Sequence, residues 1–381
     1  MSRAMSSRAR LRRALSVILV PVAGLATAPS GPGAHAALAA QITDGQVRIA
    51  PTAASWNVST DSGRVGVSQI GIPIFVAVPV GEKFAVDIGT SFATSSFTRG
   101  GVSRSLSGLT DVQLRGVWAI SDALVLTVGI NAPTGQASVD RQNLELAGMI
   151  GTDILAMPVA AYGIGPAFTG GLVYGVEASS WNLSGGLSVR QATGFRPFAD
   201  TTTRFVPGSE YRVAFNADRE VGGGRLALGL SGSAFGGQTY GTAATSTGSR
   251  GIVQVAWAGP LGEGKPQLLV SAWHLLAAAG EFNALPIPAQ NLSNLQAAVG
   301  FAVGAATIEP NIEARLWSAG TGRTGTLGLL GVRSRVPVGD FTIFPGAAFG
   351  LGTFGHNLGV SAPFEGNATG FRLTLGMART F

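Results

Sequence analysis

The chain has 381 residues, of which only 12% are charged and 56 are glycine, and it contains no cysteine. Charged residues are about half as frequent, and glycine about twice as frequent, as in typical soluble domains. The net charge of +6 includes five arginines within residues 1–36, so the remaining 21 basic and 20 acidic residues nearly cancel. No Lys/Arg cluster in that remainder could follow a phosphate backbone, which argues against nucleic acid as a partner.

The first 36 residues predict a secretory signal peptide. MSRAMSSRARLRR is basic, ALSVILVPVAGLATA is apolar, and small residues follow. Basic, apolar and small-residue regions in this order are typical of an exported chain, and a disordered basic tail is the alternative. We predict cleavage near residue 36, with residue 40 as the latest site. Residues 37–381 are then one outer-membrane β-barrel domain, exported through the inner membrane.

The rest of the chain repeatedly alternates apolar residues with small or polar ones, as tilted membrane strands do. In chain order these segments are 47–59, 64–78, 84–97, 109–121, 124–133, 157–178, 181–190, 211–220, 225–236, 252–259, 266–276, 295–304, 307–317, 326–336, 341–354 and 371–381. They predict an all-β fold, a transmembrane antiparallel up-and-down β-barrel of about 16 strands, with 14 as the alternative. Pro51 and the stretch 140–168 are the least regular parts.

The connections between these segments alternate between short and long. The short ones are 79–83, 121–123, 179–180, 221–224, 260–264, 304–306 and 338–340, and the long ones are 98–108, 134–155, 194–208, 237–250, 280–292, 318–325 and 355–366. Tight periplasmic turns and longer external loops are typical of outer-membrane barrels.

Aromatic residues flank both kinds of connection. Near short turns or the C-terminus lie Phe84, Trp118, Trp181, Trp257, Phe341 and Phe381, and beside long loops lie Phe97, Phe235, Trp317 and Phe354. This distribution predicts two aromatic belts at the two membrane interfaces. The alternative is the core of a soluble β-sandwich.

If the apolar set faces lipid, most charged residues of the strands face the lumen, because a charge in hydrocarbon is costly. The predicted pore-lining residues are Asp87, Asp111, Arg115, Arg190, Arg212, Glu309, Glu313, Arg315, Arg333 and Arg372. We place Arg379 at headgroup level and leave the face of Arg335 open. The charges indicate either a solute-selecting channel or a ladder in which Arg115, Arg315 and Arg333 pair with Asp111, Glu309 and Glu313. Pairing is the favoured interpretation for most single residues.

Residues 136–156 lose the strict alternation. Leu144, Ala147, Ile150 and Ile154 are instead spaced three to four residues apart, which would place them in a stripe on one side of a helix. We hypothesise an external loop that folds over or into the mouth and gates it. A continuing strand with a β-bulge is the alternative.

Residues 105–135, SLSGLTDVQLRGVWAISDALVLTVGINAPTG, contain the pattern G-L-x-D-V-x-L, a turn, an alternating strand and A-P-T-G. This stretch resembles a family of Gram-negative outer-membrane proteins related to the long-chain fatty-acid and aromatic-hydrocarbon transporters, some of which belong to phenol-degradation pathways. The resemblance implies a barrel and a small hydrophobic or aromatic solute, and it transfers no ligand residue. The family's fatty-acid transporters have an N-terminal hatch, for which the first predicted strand here leaves no room.

The chain closes on FRLTLGMARTF, in which Phe371, Leu373, Leu375, Met377 and Phe381 share one side. A last strand that closes a barrel keeps its lipid face apolar to the end. The pattern also resembles the C-terminal signal that the barrel-assembly machinery reads, with Phe381 as its terminal aromatic residue. The predicted partners are therefore outer-membrane lipid, that machinery and a small-molecule solute.

Catalytic motifs are missing from the sequence. Its three histidines are His35 in the signal, His274 in a strand and His356 in a loop, and they form no G-x-S-x-G, H-E-x-x-H or two-histidine metal spacing. We predict no enzyme activity, cofactor or metal. The predicted function is an outer-membrane channel for small solutes, hydrophobic or aromatic ones among them. A non-transporting anchor or surface interaction protein is the alternative, and a barrel hydrolase around His274 is the third candidate.

Overall fold

The computed structural model describes residues 45–61, 63–262, 266–283, 285–320, 324–356 and 364–381. The predicted signal peptide and both of its cleavage sites lie outside these ranges. Within them, no helix has both the length and the apolarity that a membrane span requires.

The described residues form 23 β-strands. They are β1 (Gln46–Ile49), β2 (Thr52–Thr60), β3 (Gly63–Pro79), β4 (Phe84–Arg99), β5 (Val102–Leu109), β6 (Val112–Ala119), β7 (Leu124–Ala132), β8 (Ala167–Ala178), β9 (Trp181–Ala192), β10 (Phe205–Val206), β11 (Glu210–Val221), β12 (Gly224–Phe235), β13 (Gln238–Tyr240), β14 (Ala243–Thr245), β15 (Arg250–Pro260), β16 (Gln267–Ala277), β17 (Gly280–Phe282), β18 (Leu285–Ile287), β19 (Gln290–Val303), β20 (Ala306–Ala319), β21 (Thr324–Val338), β22 (Phe341–His356) and β23 (Phe364–Thr380). β10, β13 and β14 form a small sheet in the loops, as do β17 and β18.

The other strands form a closed antiparallel barrel of sixteen, in which β1 continues into β2 and β5 into β6. β23 pairs with β22 on one side and with β1 and β2 on the other, which closes the sheet. The prediction of sixteen strands is therefore confirmed. Pro51 does not interrupt the first strand, because Gln46 opposite Thr380 and Thr52 opposite Thr374 keep one register. The proline removes only a hydrogen-bond donor.

A β-bulge separates β5 from β6. Phe92 lies opposite Leu109 and Gly89 lies opposite Gln113, so the second strand has one residue more than the first between these pairs. A bulge shifts the alternation of faces by one position. Asp111 lies in this bulge and points into the lumen, where its carboxylate accepts three hydrogen bonds from N–H groups of surrounding residues.

Two predicted segment assignments are wrong. Residues 98–108 are not a long loop, because Gly100 and Gly101 make a two-residue hairpin turn and β5 follows at once. Both glycines have positive φ, 56° and 81°, which a turn of this kind requires. Residues 157–178 are not one strand, since β8 begins only at Ala167. The preceding residues are apolar because they are buried inside the barrel, and not because they face lipid.

Exposed apolar side chains cover the outside of the barrel wall. Examples around the barrel are Ile70, Phe92, Leu114, Val128, Leu172, Leu187, Phe215, Leu230, Val253, Leu295, Ile312, Leu330, Leu351 and Leu373. A continuous apolar outer face on a closed barrel is the surface that lipid solvates.

The predicted aromatic belt is found at the interface of the short turns, whereas most of the residues predicted for the external interface lie inside the barrel. Trp118, Phe341 and Phe381 are exposed at the ends of the strands next to the short turns. Phe97 and Phe354, predicted for the external belt, are instead 1% and 0% exposed because they point into the lumen. Trp317 is buried with them in the same apolar core. Exposed Phe168 and Tyr211 lie on the outer face near the external ends of β8 and β11.

Candidate functional site

The connection from β7 to β8, residues 133–166 and hereafter the inner loop, folds into the barrel. It contains a 3₁₀ turn, Arg141–Asn143, and the short helix α1, Leu144–Ile150. The buried apolar residues of the inner loop are Leu146, Met149, Ile150, Ile154, Leu155, Met157, Val159 and Tyr162. A helix is confirmed for Leu144–Ile150, although it ends before Ile154, the last residue of the predicted stripe, and the alternative of a bulged strand is wrong. The buried face of the helix differs from the predicted stripe, since Leu144 and Ala147 are only half-buried.

The inner loop packs against the inner faces of β1–β6 and β19–β23, hereafter the packed arc. The wall residues of this apolar core are Ala54, Trp56, Val58, Val65, Val67, Ala93, Phe97, Leu106, Leu292, Trp317, Leu327, Leu329, Phe354, Phe364 and Ala368. Two wall glycines make room for the loop: a Cβ on Gly71 would lie 2.7 Å from Cβ of Pro158, and one on Gly325 would lie 2.9 Å from Cδ1 of Ile154. The lumen therefore holds an apolar core of the kind found inside soluble domains.

Side chains of the packed arc bind three consecutive carbonyl groups of the inner loop, hereafter the loop tip, Ile154 to Ala156. Arg315 donates to Ile154 O (2.7 Å), the indole N–H of Trp56 donates to Leu155 O (3.2 Å), and Arg372 donates to Ala156 O (3.2 Å). Ala156 has a φ of 45°, a left-handed conformation that non-glycine residues seldom adopt.

Gln69 and Tyr162 fix the following part of the inner loop. The Gln69 side chain donates to Val159 O (2.8 Å) and accepts from Val159 N (2.6 Å), as a backbone partner would. The Tyr162 hydroxyl donates to Leu106 O (2.9 Å) and lies 2.8 Å from the hydroxyl of Ser95. Buried backbone groups of an irregular segment need such partners.

Asp111 joins the two ends of the inner loop. Its Oδ1 accepts from Gly135 N (3.0 Å), and its Oδ2 accepts from Ile164 N (2.8 Å) and from Nδ2 of Asn131 (2.9 Å). Asp111 was predicted to line the pore and to pair with Arg115. It faces inward as predicted, but Arg115 pairs with Asp87 instead (2.8 Å).

The helix end of the inner loop is held by ion pairs. Glu145 at the start of α1 lies 3.1 Å from Arg99 and 3.9 Å from Arg104. Both arginines lie on the hairpin β4–β5, beside the two-residue turn. α1 is therefore attached to the external rim of the packed arc.

The seven remaining barrel strands, β7, β8, β9, β11, β12, β15 and β16, form the polar arc. Their inner faces carry mostly small and polar residues: Thr127, Asn131, Thr169, Gly171, Ser184, Gly186, Ser188, Asn216, Gly229, Ser231, Gln254 and Ser271. The exception is β16 at the border with the packed arc, where Trp273 and Leu275 point inward and pack against the apolar core. Arg190 lies next to Arg212 on this surface, and Arg212 pairs with Glu210 (2.5 Å). Arg225 pairs with Asp218.

The predicted lumen charges are mostly paired. Arg315 lies 2.7 Å from Glu313, and Arg333 pairs with Glu309, so these charges form a ladder but with the two partners exchanged relative to the predicted order. The strand registers place nine of the ten predicted pore-lining residues on inner faces, and the hydrogen bonds of the tenth, Asp111, place it there too. Arg335, whose face was left open, also points inward and lies 4.0 Å from Glu309. That these residues line a conducting path stays a prediction.

Asp153 in the inner loop faces Arg250 at the external end of β15. Partial removal from water inside the barrel disfavours the charged form and raises the pKa of this carboxyl above 3.8, and attraction to Arg250 partly opposes that shift. Since Arg250 belongs to the polar arc, this is an electrostatic contact between the inner loop and the opposite wall.

Three external loops above the polar arc meet in an aromatic cluster. Phe195, Phe198, Phe205, Tyr240 and Phe282 contribute its rings, whose centroids lie 5.2–6.5 Å apart. Exposed Val206, Leu285 and Ile287 belong to the same loops. The external mouth on this side is therefore apolar, although the inner wall beneath it is polar.

His274, the candidate of the hydrolase hypothesis, lies on the outer face of the barrel. Its Nδ1 is 2.8 Å from the Ser293 hydroxyl, and Val253 and Leu295 beside them are exposed. In the part of the chain that the structure describes, no group of three His, Cys, Asp or Glu residues could hold a metal ion. The hydroxyl of Ser293 satisfies one of the two ring nitrogens of His274.

The C-terminal residues lie at the end of the barrel with the short turns. Phe381 exchanges two backbone hydrogen bonds with Gly45, both 2.9 Å, and its ring is exposed. Arg379 pairs with Asp340 (2.9 Å) and lies over the ring of Phe341. This position agrees with the predicted headgroup level of Arg379, while the role of Phe381 in assembly stays a prediction.

Sequence reasoning missed the residues that hold the inner loop, chiefly Trp56, Gln69 and Tyr162. A signal was present for Trp56, because it lies on the same face of its strand as Ala54, which is paired with inward-pointing Arg372. The same reasoning applies to Phe354. It lies on the same face of β22 as Ala348, which is paired with Arg372, so it also points inward. Tyr162 lies in an irregular segment, for which no periodicity applies.

Comparisons with known proteins find no family model and no curated protein that matches the chain. Among solved structures, a FadL homologue of Pseudomonas aeruginosa is 10% identical, with 93% of this chain and 95% of that chain covered and a TM-score of 0.45. OccAB4 of Acinetobacter baumannii is 8% identical (90% and 99% covered, TM-score 0.44), and OmpT of Vibrio cholerae is 11% identical (88% and 98% covered, TM-score 0.41). Such distant similarity supports no family and no function, and the barrel rests on its own strand pairing.

Proposed function

We propose that this protein is an outer-membrane channel that passes small solutes along the polar arc, with the inner loop restricting the passage. One observation carries the proposal: the inner loop fills one side of the lumen and leaves the opposite wall lined by small polar residues. A barrel that served only as an anchor would have no need for this difference between its two inner walls.

The solutes we propose are small molecules with an apolar or aromatic part. The aromatic cluster above the polar arc provides an apolar surface at the external mouth. Aromatic rings and apolar solutes associate by removing shared surface from water. The resemblance of residues 105–135 to transporters of fatty acids and aromatic hydrocarbons agrees with this solute class.

Planar-bilayer recordings of the full chain and of a variant lacking residues 138–152 test the channel. We expect stepwise conductance in the full chain and a larger, less restricted conductance in the deletion variant. Equal conductance in both would refute restriction by the inner loop. A folded, heat-modifiable barrel that conducts in neither form would favour the non-transporting anchor.

Uptake in cells that lack the protein tests the solute class. We expect slower uptake of aromatic solutes than in complemented cells, with little change for sugars of similar size. Phospholipid turnover that disappears with His274→Ala would instead support a hydrolase.

We also propose that the last strand directs assembly in the outer membrane through Phe381. Removal of Phe381 takes away two backbone hydrogen bonds and the exposed ring, so the amount of heat-modifiable barrel should fall while export continues. Normal barrel levels in this variant would contradict that role.

A further inference from the structure

The loop tip lies against a part of the barrel wall whose hydrogen-bond donors are chemically suited to an anion. Arg315, Trp56 and Arg372 direct three N–H donors at three successive carbonyl oxygens, Ile154 O to Ala156 O. Two of these donors are guanidinium groups, which a carboxylate matches with opposite charge and with two parallel N–H···O bonds, whereas a single carbonyl oxygen offers neither. The loop tip is therefore a weaker partner for this wall than a carboxylate would be.

The local charge is not balanced. Glu313 lies 2.7 Å from Arg315 and interacts with Arg372 as well, so one carboxylate faces two guanidinium groups. Arg372 donates to the neutral Ala156 carbonyl. A partly buried cation without its own counter-charge is unfavourable, and a bound anion would remove that cost.

The two arginines differ in accessibility. Arg315 is only 1% exposed, whereas Arg372 is half-buried and borders the lumen. A solute in the lumen can therefore reach Arg372 first, and it can reach Arg315 only after the loop tip has moved.

The wall beside Arg372 would accommodate an apolar group once the loop tip has moved away. On its two neighbouring strands Arg372 lies opposite Ala54 and Ala348, which carry only methyl side chains. The indole of Trp56 lies in the same apolar core. A flat apolar group attached to a carboxylate would contact these residues in place of Leu155 and Ala156.

The loop tip is also under backbone strain. Ala156 has a φ of 45°, and left-handed conformations are unfavourable for residues that carry a Cβ. Release of the tip lets Ala156 return to an ordinary conformation, so the strain favours exchange with a ligand.

We propose that Arg372 and Arg315 form a binding site for aromatic or other apolar carboxylates, which the loop tip occupies when no solute is present. An apolar anion that binds Arg372 displaces Ala156, and the inner loop then opens the passage. This inference rests on the proposed channel function and specifies both the solute class and the signal that moves the loop.

Bilayer recordings with benzoate and with benzamide, its neutral analogue, at constant ionic strength test the proposal. We expect benzoate to increase the conductance of the wild-type chain and benzamide to have no effect. Arg372→Gln should show raised conductance without solute and should lose the response to benzoate. Arg219→Gln, which changes an arginine over the Trp181 ring on the outer face, should behave like the wild type.

A second variant tests the strain. Ala156→Gly keeps both arginines and lets the tip adopt its conformation freely, so the closed state becomes more stable. We expect about fivefold more benzoate to be needed for half of the conductance increase. An unchanged benzoate requirement would show that strain at Ala156 does not help to release the loop.

Titration calorimetry of the detergent-solubilised full chain reports the site independently of conduction. We expect benzoate binding to the wild type and to Arg219→Gln, and none to Arg372→Gln. Equal binding to all three would overturn the anion site. A channel that conducts and opens on deletion of residues 138–152, but responds equally to benzoate and benzamide, would refute this inference and leave the channel function intact.

Discussion

The packed arc and the polar arc have the same outer face and opposite inner faces. Outside, both present exposed apolar residues, for example Leu373 on one arc and Leu187 on the other. Inside, the packed arc carries buried Trp56 and Phe354, while the polar arc carries residues such as Ser188 and Thr169. The outer face is set by lipid alone, whereas the inner face is set by what the barrel contains. Functional differences between barrels should therefore be sought in the residues that point inward.

The largest change to the packed arc should come from Trp56→Ala. It removes a fully buried side chain and the hydrogen bond to Leu155 O, and large-to-small changes of this kind cost about 3–5 kcal/mol. We expect the inner loop to lose its docking and become sensitive to protease. Trp257→Ala, which removes an outward tryptophan of the polar arc, should leave the loop protected.

A smaller change should follow from Asp111→Asn, which weakens the junction between the two arcs. The carboxylate accepts three N–H hydrogen bonds, and an amide offers one oxygen in place of two, so we expect about 1–3 kcal/mol less stable docking. Hydrogen exchange of the inner loop measures the effect. Asp340→Asn at an exposed ion pair is the control, and equal exchange in both variants would contradict the role of Asp111.

Two glycine substitutions should act in opposite directions. Gly71→Leu places a side chain where Pro158 lies, so it should displace the inner loop and raise conductance. Gly175 lies on the inner face of the polar arc, and a Cβ there meets nothing closer than 3.8 Å, so Gly175→Leu should leave the loop in place and lower conductance. Changes of the same sign would show that the two arcs do not differ in the proposed way.

The smallest effect should be a pH dependence from Asp153, the contact between the inner loop and the polar arc. Its pKa is raised in the docked state, so its contribution to docking is complete below 3.8 and is lost as the pH rises through the raised pKa. We expect conductance to rise as the pH increases through the raised pKa of Asp153. The Asp153→Asn variant should lack this rise in conductance. A rise that persists in the variant must come from another group.

Much of the barrel could be predicted because lipid imposes a simple rule on the sequence. Alternation gave the sixteen strands, and even Pro51 keeps the register of its strand. The same rule placed Arg315 and Arg372 on the inner face. Its failure at residues 157–166 has a physical cause: Met157, Val159 and Tyr162 are buried against protein, and apolar residues look alike whether lipid or protein surrounds them.

The candidate site was predicted only in part for a related reason. A helical stripe near residue 144 indicated the inner loop, but its partners come from strands far away in the sequence, for example Arg315 with Ile154. Ion-pair partners were also partly wrong, because the bulge before β6 directs Asp111 to the inner loop and leaves Asp87 for Arg115. Such contacts depend on register and on bulges, which residue types alone do not reveal.

The junction at Asp111 has an evolutionary consequence. One carboxylate holds residues 135 and 164 next to each other, so the chain leaves and re-enters the wall at almost one point. Segments whose ends are this close can be exchanged or lengthened without disturbing the scaffold that carries them. Grafting a different sequence between residues 136 and 163 that keeps the apolar contacts with the packed arc therefore offers a direct way to engineer new selectivity into this barrel.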